Sequence, residues 1–165
     1  MELSAYGITT QLLPGFEGRI TKRTQPATNA VGPSGNRARG TSGEVPNPVV
    51  HLANFALPEN RGDYGSGAVD LMGAGNLFLC LFEFGPESVG QPLFARRGIP
   101  TDLQPQQFNA NSLQRAIPGQ AGTQVWFNEA ARAFCLYVVL GRRGDAAALT
   151  PVVNTAMAAT TIAPR

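Results

Sequence analysis

Two apolar runs set the limits on what this chain can become. Leu77 to Phe84 reads LFLCLFEF and Phe134 to Leu140 reads FCLYVVL. Each is too short to read as an amphipathic helix, and each offers apolar side chains at odd and even positions alike. A strand apolar on both faces must be covered on both sides, so the two runs predict the centre of a sheet with a layer above and below it. A chain of 165 residues can build such a core as one domain without disulfides or metals to hold it.

Other segments supply the remaining strands. Ile8 to Leu13 and Phe16 to Arg23 flank Leu13-Pro14-Gly15-Phe16, where Pro presets the first turn position and Gly tolerates the second, so a type II turn and an edge hairpin are expected. In the second of these strands Phe16, Gly18 and Ile20 alternate with Glu17, Arg19 and Thr21, which predicts one covered face and one wet face. Val49 to Leu57 reads as a further strand, stopped by Pro58. Gln124 to Asn128 and Arg132 to Leu140 read as two more, joined by a connection of hairpin length at Glu129-Ala130-Ala131. A glycine-rich loop covers Gly62 to Asn76, with one helical turn expected near Ala68 to Met72. Phe94, Leu103, Phe108, Leu113 and Ile117 read as isolated anchors of a long loop, with short helical turns near Pro105 to Phe108 and Asn111 to Arg115. A last helix is expected to start at Thr150 as N-cap with Pro151 in its first turn, presenting Val152, Val153, Ala156 and Met157 to the sheet. The expected fold is therefore α+β: a mainly antiparallel sheet of five or six strands, a C-terminal helix and long loops in one domain over 1–165. Residues 24–48, rich in Gly, Pro, Ser, Thr and Asn, carry almost no large apolar side chains and read as an arm or loop rather than as core.

Thirteen basic residues against eleven acidic ones leave a net charge of +2, well short of the excess that would mark a protein binding nucleic acid through bulk charge. Nucleic acid is thus not an expected partner. The opening MELSAYGITT has neither a basic start nor an apolar stretch, and no apolar run is long enough for a membrane span. No signal or span is expected, and the cytoplasm is the expected compartment. Cys80 and Cys135 fall inside apolar strands, where a reduced thiol acts as a small hydrophobe.

Few residues offer chemistry. The segment Gly62-Asp63-Tyr64-Gly65-Ser66-Gly67 fits neither the phosphate-binding GxxxxGK[ST] pattern nor the GxSxG elbow. A small hydrolase would have to draw on Ser66, His51 and either Asp63 or Asp70, with the imidazole within hydrogen-bond reach of the serine. His51 is the sole histidine and alternates with Val49, Ala53 and Phe55 on one strand face, which favours a hydrogen-bonded structural role. One His and two Cys do not make a zinc site, so no metal and no cofactor are expected. The binding candidates are Arg37 and Arg39 in the arm, the doublets Arg96-Arg97 and Arg142-Arg143, and Trp126. The arginines would form an anion-binding surface if the fold gathered them, and an exposed Trp126 would mark an interface.

The order of PGFEGRI, VVHLANFAL, LFLCLFEF and FCLYVVLG, followed by a terminal helix, resembles small proteins of high-GC, actinobacterial-type bacteria and, more distantly, the PsbP/Mog1 α/β sandwich. The resemblance covers the strands and the last helix but not the arm, and it assigns no functional residue. It implies a binding or adaptor role. The function expected is that of a non-catalytic interaction or assembly subunit with a protein partner or a homo-oligomeric state. The alternatives are the Ser66/His51/Asp63 hydrolase and an anion or nucleic-acid binding module built on the arginines.

Overall fold

The computed structural model describes residues 1–23 and 47–165. Its fold is α+β, with an antiparallel sheet of five strands, a second sheet of three and one helix near the C-terminus. The large sheet contains β3 (Glu17–Lys22), β4 (Pro48–Ala53), β5 (Leu77–Glu83), β6 (Ala121–Glu129) and β7 (Arg132–Leu140), in the order β3-β4-β5-β7-β6. The apolar runs LFLCLFE and RAFCLYVVL are adjacent, paired from Leu77 with Leu140 to Glu83 with Phe134, and buried throughout. Their two-faced apolar pattern follows from this position. Leu77, Leu79, Leu81, Leu136, Val138 and Leu140 face one core, while Phe78, Cys80, Phe82, Tyr137 and Val139 face the other.

The first core is roofed by helix α1 (Ala146–Ala158) and by the small sheet, formed from β1 (Glu2–Ala5), β2 (Ile8–Gln11) and β8 (Thr160–Ile162) in the order β1-β2-β8. Val153, Ala156 and Met157 of the helix and Ile8 and Ile162 of the small sheet close this side. Among the described residues the second core has no helix or sheet layer above it. Tyr64, Ala68, Val69 and Met72 from the glycine-rich loop cover it, together with Leu57, Leu113 and Ile117. Loop side chains thus do the work of a second layer, and the same loop carries the polar groups described below.

Three expectations are corrected. The Leu13-to-Phe16 turn forms, with the Phe16 N–H donating to the Leu13 carbonyl at 3.0 Å and Gly15 at φ +78°. It does not close a hairpin: β2 pairs with β1 and β8, whereas β3 pairs with β4, so the turn carries the chain from one sheet to the other. Leu3 and Leu12 press onto Gly18, where even a methyl group would sit 2.7 Å from their side chains. That contact stacks the small sheet on β3 instead of beside it. Second, the helix begins at Ala146, and Pro151 lies inside it. The run Ala146-Ala147-Ala148-Leu149 favours helix strongly enough to extend it backwards past the proline. Asp145 ties its start to the turn before β5 by accepting the Gly75 N–H at 2.7 Å. Third, the strand from Val49 ends at Ala53 rather than Leu57, because Asn54 turns its side chain to cap β5, accepting the Leu77 N–H at 2.7 Å. Most of the segment read as an arm, residues 24–46, lies outside the described residues; Pro48 at its end opens β4.

The link between the two sheets is Arg132, 3% exposed at the start of β7. Its guanidinium grips Glu83 with two hydrogen bonds, Nε to Oε1 at 2.9 Å and Nη2 to Oε2 at 2.7 Å. The remaining N–H groups reach the small sheet: Nη2 donates to the Tyr6 carbonyl at 3.0 Å, and Nη1 to Ala163 at 3.0 Å and Gly7 at 3.4 Å. All five donors of the guanidinium are satisfied. Arg165 joins from outside, its Nη2 donating to Glu83 Oε1 at 2.7 Å. Removing the carboxylate charge would strand a buried cation, so Glu83→Gln is expected to cost about 3 kcal/mol or more in urea unfolding.

The β6–β7 hairpin turns on Ala130 and Ala131, both left-handed at φ 53° and φ 58°. A two-residue turn of this kind prefers Asn-Gly, since a Cβ in the left-handed region costs about 1 kcal/mol. Ala131→Gly is therefore expected to stabilise the protein by about 1 kcal/mol, read as a higher urea midpoint with an unchanged slope.

Candidate functional site

A second polar cluster lies where the glycine-rich loop crosses β3 and β4. His51, in the middle of β4, points into the second core beside the Phe78 ring at 5.3 Å between centroids. Burial requires both of its ring nitrogens to be satisfied, and both are. Nε2 lies 2.7 Å from the Asp63 carbonyl oxygen, and Nδ1 lies 2.8 Å from Arg61 Nε. An arginine can only donate, so Nδ1 is the acceptor and Nε2 carries the proton. The ring is therefore neutral. Loss of hydration pushes its pKa down to about 4, with the nearby Arg61 charge adding to the shift and the Asp63 carbonyl opposing it.

The Asp63 carbonyl oxygen also accepts a hydrogen bond from the Cys80 thiol at 3.0 Å. One main-chain oxygen thus anchors the loop to two adjacent strands. The Asp63 carboxylate turns the other way, to Arg23 Nε at 3.1 Å, and the Arg23 guanidinium lies 3.6 Å from the centre of the Phe82 ring. Tyr64 stacks on the same ring at 4.8 Å, completing a sandwich of arginine, phenylalanine and tyrosine in which the cation meets the π-face. Burial raises the Tyr64 phenol well above its usual value, so it stays protonated.

The residues named for a hydrolase take separate places. His51 and Asp63 meet, but through the main-chain oxygen of Asp63. Both imidazole nitrogens are occupied by partners other than Ser66, whose side chain is exposed on the loop and forms no hydrogen bond with His51. Asp70 accepts the Gly67 N–H at 2.9 Å and pairs with Arg115, contacts that hold its carboxyl below the usual range. Burial pushes the Cys135 thiol up to about 12 and the Cys80 thiol higher than its ordinary value, so neither supplies a thiolate at neutral pH. Among the described residues no group of three or more His, Cys, Asp or Glu is placed to hold a metal ion.

The arginine doublets are not gathered. Arg96 pairs with Asp102, and the main chain at Arg96 and Arg97 bridges to Asn128 near one end of β6. Arg142 pairs with Asp145 beyond Leu140, which faces Ala121 at the other end, about 24 Å away at strand spacing. Arg143 is exposed there, and Arg37 and Arg39 lie outside the described residues. Trp126 is half-buried on β6, opposite Cys135, while Phe127 beside it is fully buried.

The sequence did not single out Arg19, Arg23, Arg61 or Tyr64. Arg23 and Tyr64 are far apart in the chain, and only the pairing of β3 with β4 brings Arg19 opposite His51. No family model matches the chain, and neither a curated protein nor a solved structure matches it. No helix among the described residues is long and apolar enough to cross a membrane.

The neutral state of His51 has a measurable consequence. Its folded pKa lies below the unfolded value near 6.5, so the unfolded chain binds the extra proton first as pH falls. The stabilisation is complete above pH 6.5 and is lost between there and pH 4, amounting to roughly 3 kcal/mol. Urea unfolding at stepped pH should show this loss, and His51→Gln should remove that part of the pH dependence.

Proposed function

We propose that this chain works by binding a protein partner, or further copies of itself, and not by catalysis, using the outer edge of β6 around Trp126. The groups best suited to covalent chemistry are withdrawn: the histidine is neutral with both nitrogens occupied, and both thiols are buried. What carries the reading is the state of the β6 edge. The outward main-chain groups of Gly122 pair with Asn109, and those of Asn128 pair with Arg96 and Gly98. Between these bridges the outward N–H and C=O groups of Gln124 and Trp126 have no partner among the described residues.

An unpaired strand edge beside a half-buried tryptophan combines main-chain hydrogen-bonding capacity with a large apolar contact, the pairing used in strand-addition interfaces. The short helical turn Pro92–Phe94 packs near this strand and leaves Leu93 exposed at 56%, which extends the apolar surface. Both loop bridges restrict the opening to a short segment, so the contact is a local clasp and not a continuous sheet across two chains.

Trp126 is the only tryptophan, so its fluorescence reports on this edge alone. In extract from its native source the chain is expected to elute well above its 17.4 kDa, and Trp126→Asp is expected to return it to monomer size while the chain stays folded, with a urea midpoint lowered by the loss of the half-buried ring. Elution of the unaltered chain as a monomer would refute the reading.

A further inference from the structure

We propose that Arg19 and Arg61 form a binding site for an oxyanion, a phosphoryl or carboxylate group seated between their guanidinium groups on the β3–β4 face beneath the glycine-rich loop. Arg19 is the cross-strand partner of His51, so its side chain leaves the sheet on the same face as the imidazole. Arg61 comes to that imidazole from the loop, donating from Nε to His51 Nδ1 at 2.8 Å and from Nη1 to the Pro58 carbonyl at 2.7 Å. These two bonds fix the plane of the Arg61 guanidinium, and among the described residues Nη2 and the second Nη1 proton make no hydrogen bond. A fork held in place before its ligand arrives loses little entropy on binding.

Asp63 is paired with Arg23 at 3.1 Å, and Glu17 is held by the neutral Leu57 N–H at 3.0 Å; neither these carboxylates nor Glu59 forms an ion pair with Arg19 or Arg61 among the described residues. Neither Arg19 nor Arg61 forms an ion pair among the described residues, whereas Arg23, Arg96, Arg115, Arg132, Arg142 and Arg165 all do. Arg61 is partly removed from water, and burial together with the charge of Arg19 lowers its proton affinity. Two neighbouring guanidinium groups that repel each other at a half-desolvated site are relieved by an anion shared between them. His51 contributes by staying neutral: a protonated ring would lose the acceptor that orients Arg61 and would add a third positive charge. The site requires no contact at Trp126 and is independent of the interface reading.

The test uses the full chain with inorganic phosphate and, separately, acetate, each compared with sodium chloride at equal ionic strength. Saturable shifts of the Arg61 Nε–H and His51 ring resonances with either anion, absent in chloride, are expected, and the anion that produces them identifies the class. Arg19 is exposed, so Arg19→Gln should fold normally and weaken that anion about tenfold or more. Arg143→Gln, just beyond the end of β7 and three strands across from β3, should leave the affinity unchanged. Shifts that do not saturate, that chloride reproduces, or that survive undiminished in Arg19→Gln would overturn the proposal.

Discussion

The arrangement of this domain depends on a single buried guanidinium. Arg132 satisfies all five of its donors by joining Glu83 of β5 to the β1–β2 turn and to the residue after β8. A buried ion pair gains little over an apolar pair of the same volume, because desolvation offsets most of the Coulomb attraction. Its contribution here is positional. The small sheet contains strands of four, four and three residues, too short to persist as an independent sheet in water. Main-chain carbonyls at Tyr6, Gly7 and Ala163 meet Arg132 at the start of β7 and so fix where the small sheet docks on the large one. Apolar contact from Ile8 and Ile162 then supplies the adhesion, and the arginine sets the register.

This division explains what could be read in advance. The pair of central strands was legible because burial on both faces leaves an unmistakable apolar run, and the paired residues Leu77 and Leu140 bound both. Gly15 and the turn around it were legible as well, since a turn is a local matter of φ. What the turn joins was not, because β2 finds its partners at the two extremes of the chain. β1 and β8 show only short polar-apolar alternation, ELSA and TTI, and become strands through pairing with β2 rather than through their own composition. Helix α1 was placed correctly on its buried face but started late. Pro151 reads as a starting signal, whereas the alanines before it and the Asp145 tie to Gly75 carry the helix back another turn.

The polar cluster was half legible for the same reason. His51 alternating with Val49 and Ala53 pointed to a buried ring that needs hydrogen bonds, and the ring has them. Which groups supply them could not be read, because Arg61 and Asp63 approach from a loop whose path over the sheet is fixed by tertiary contacts, among them Tyr64 stacked on Phe82. Arg19 lies opposite His51 only through the β3–β4 register, and the two strands are separated in sequence by residues 24–46. The doublets Arg96-Arg97 and Arg142-Arg143 drew attention by adjacency in sequence, yet β6 holds them at opposite ends of the sheet.

The two arginine clusters solve opposite problems with the same side chain. At the Glu83 end, two guanidinium groups share one carboxylate and Arg132 also bonds three carbonyls, so the donors of Arg132 are fully committed to holding the sheets together. At the His51 end, a neutral imidazole and a carbonyl take up the hydrogen bonds of Arg61 without cancelling its charge. Neutral acceptors orient a cation while leaving its field available, whereas a carboxylate would orient it and quench that field. A buried, neutral histidine beside Arg61, where a glutamate would make a stronger contact, orients this guanidinium without cancelling its charge.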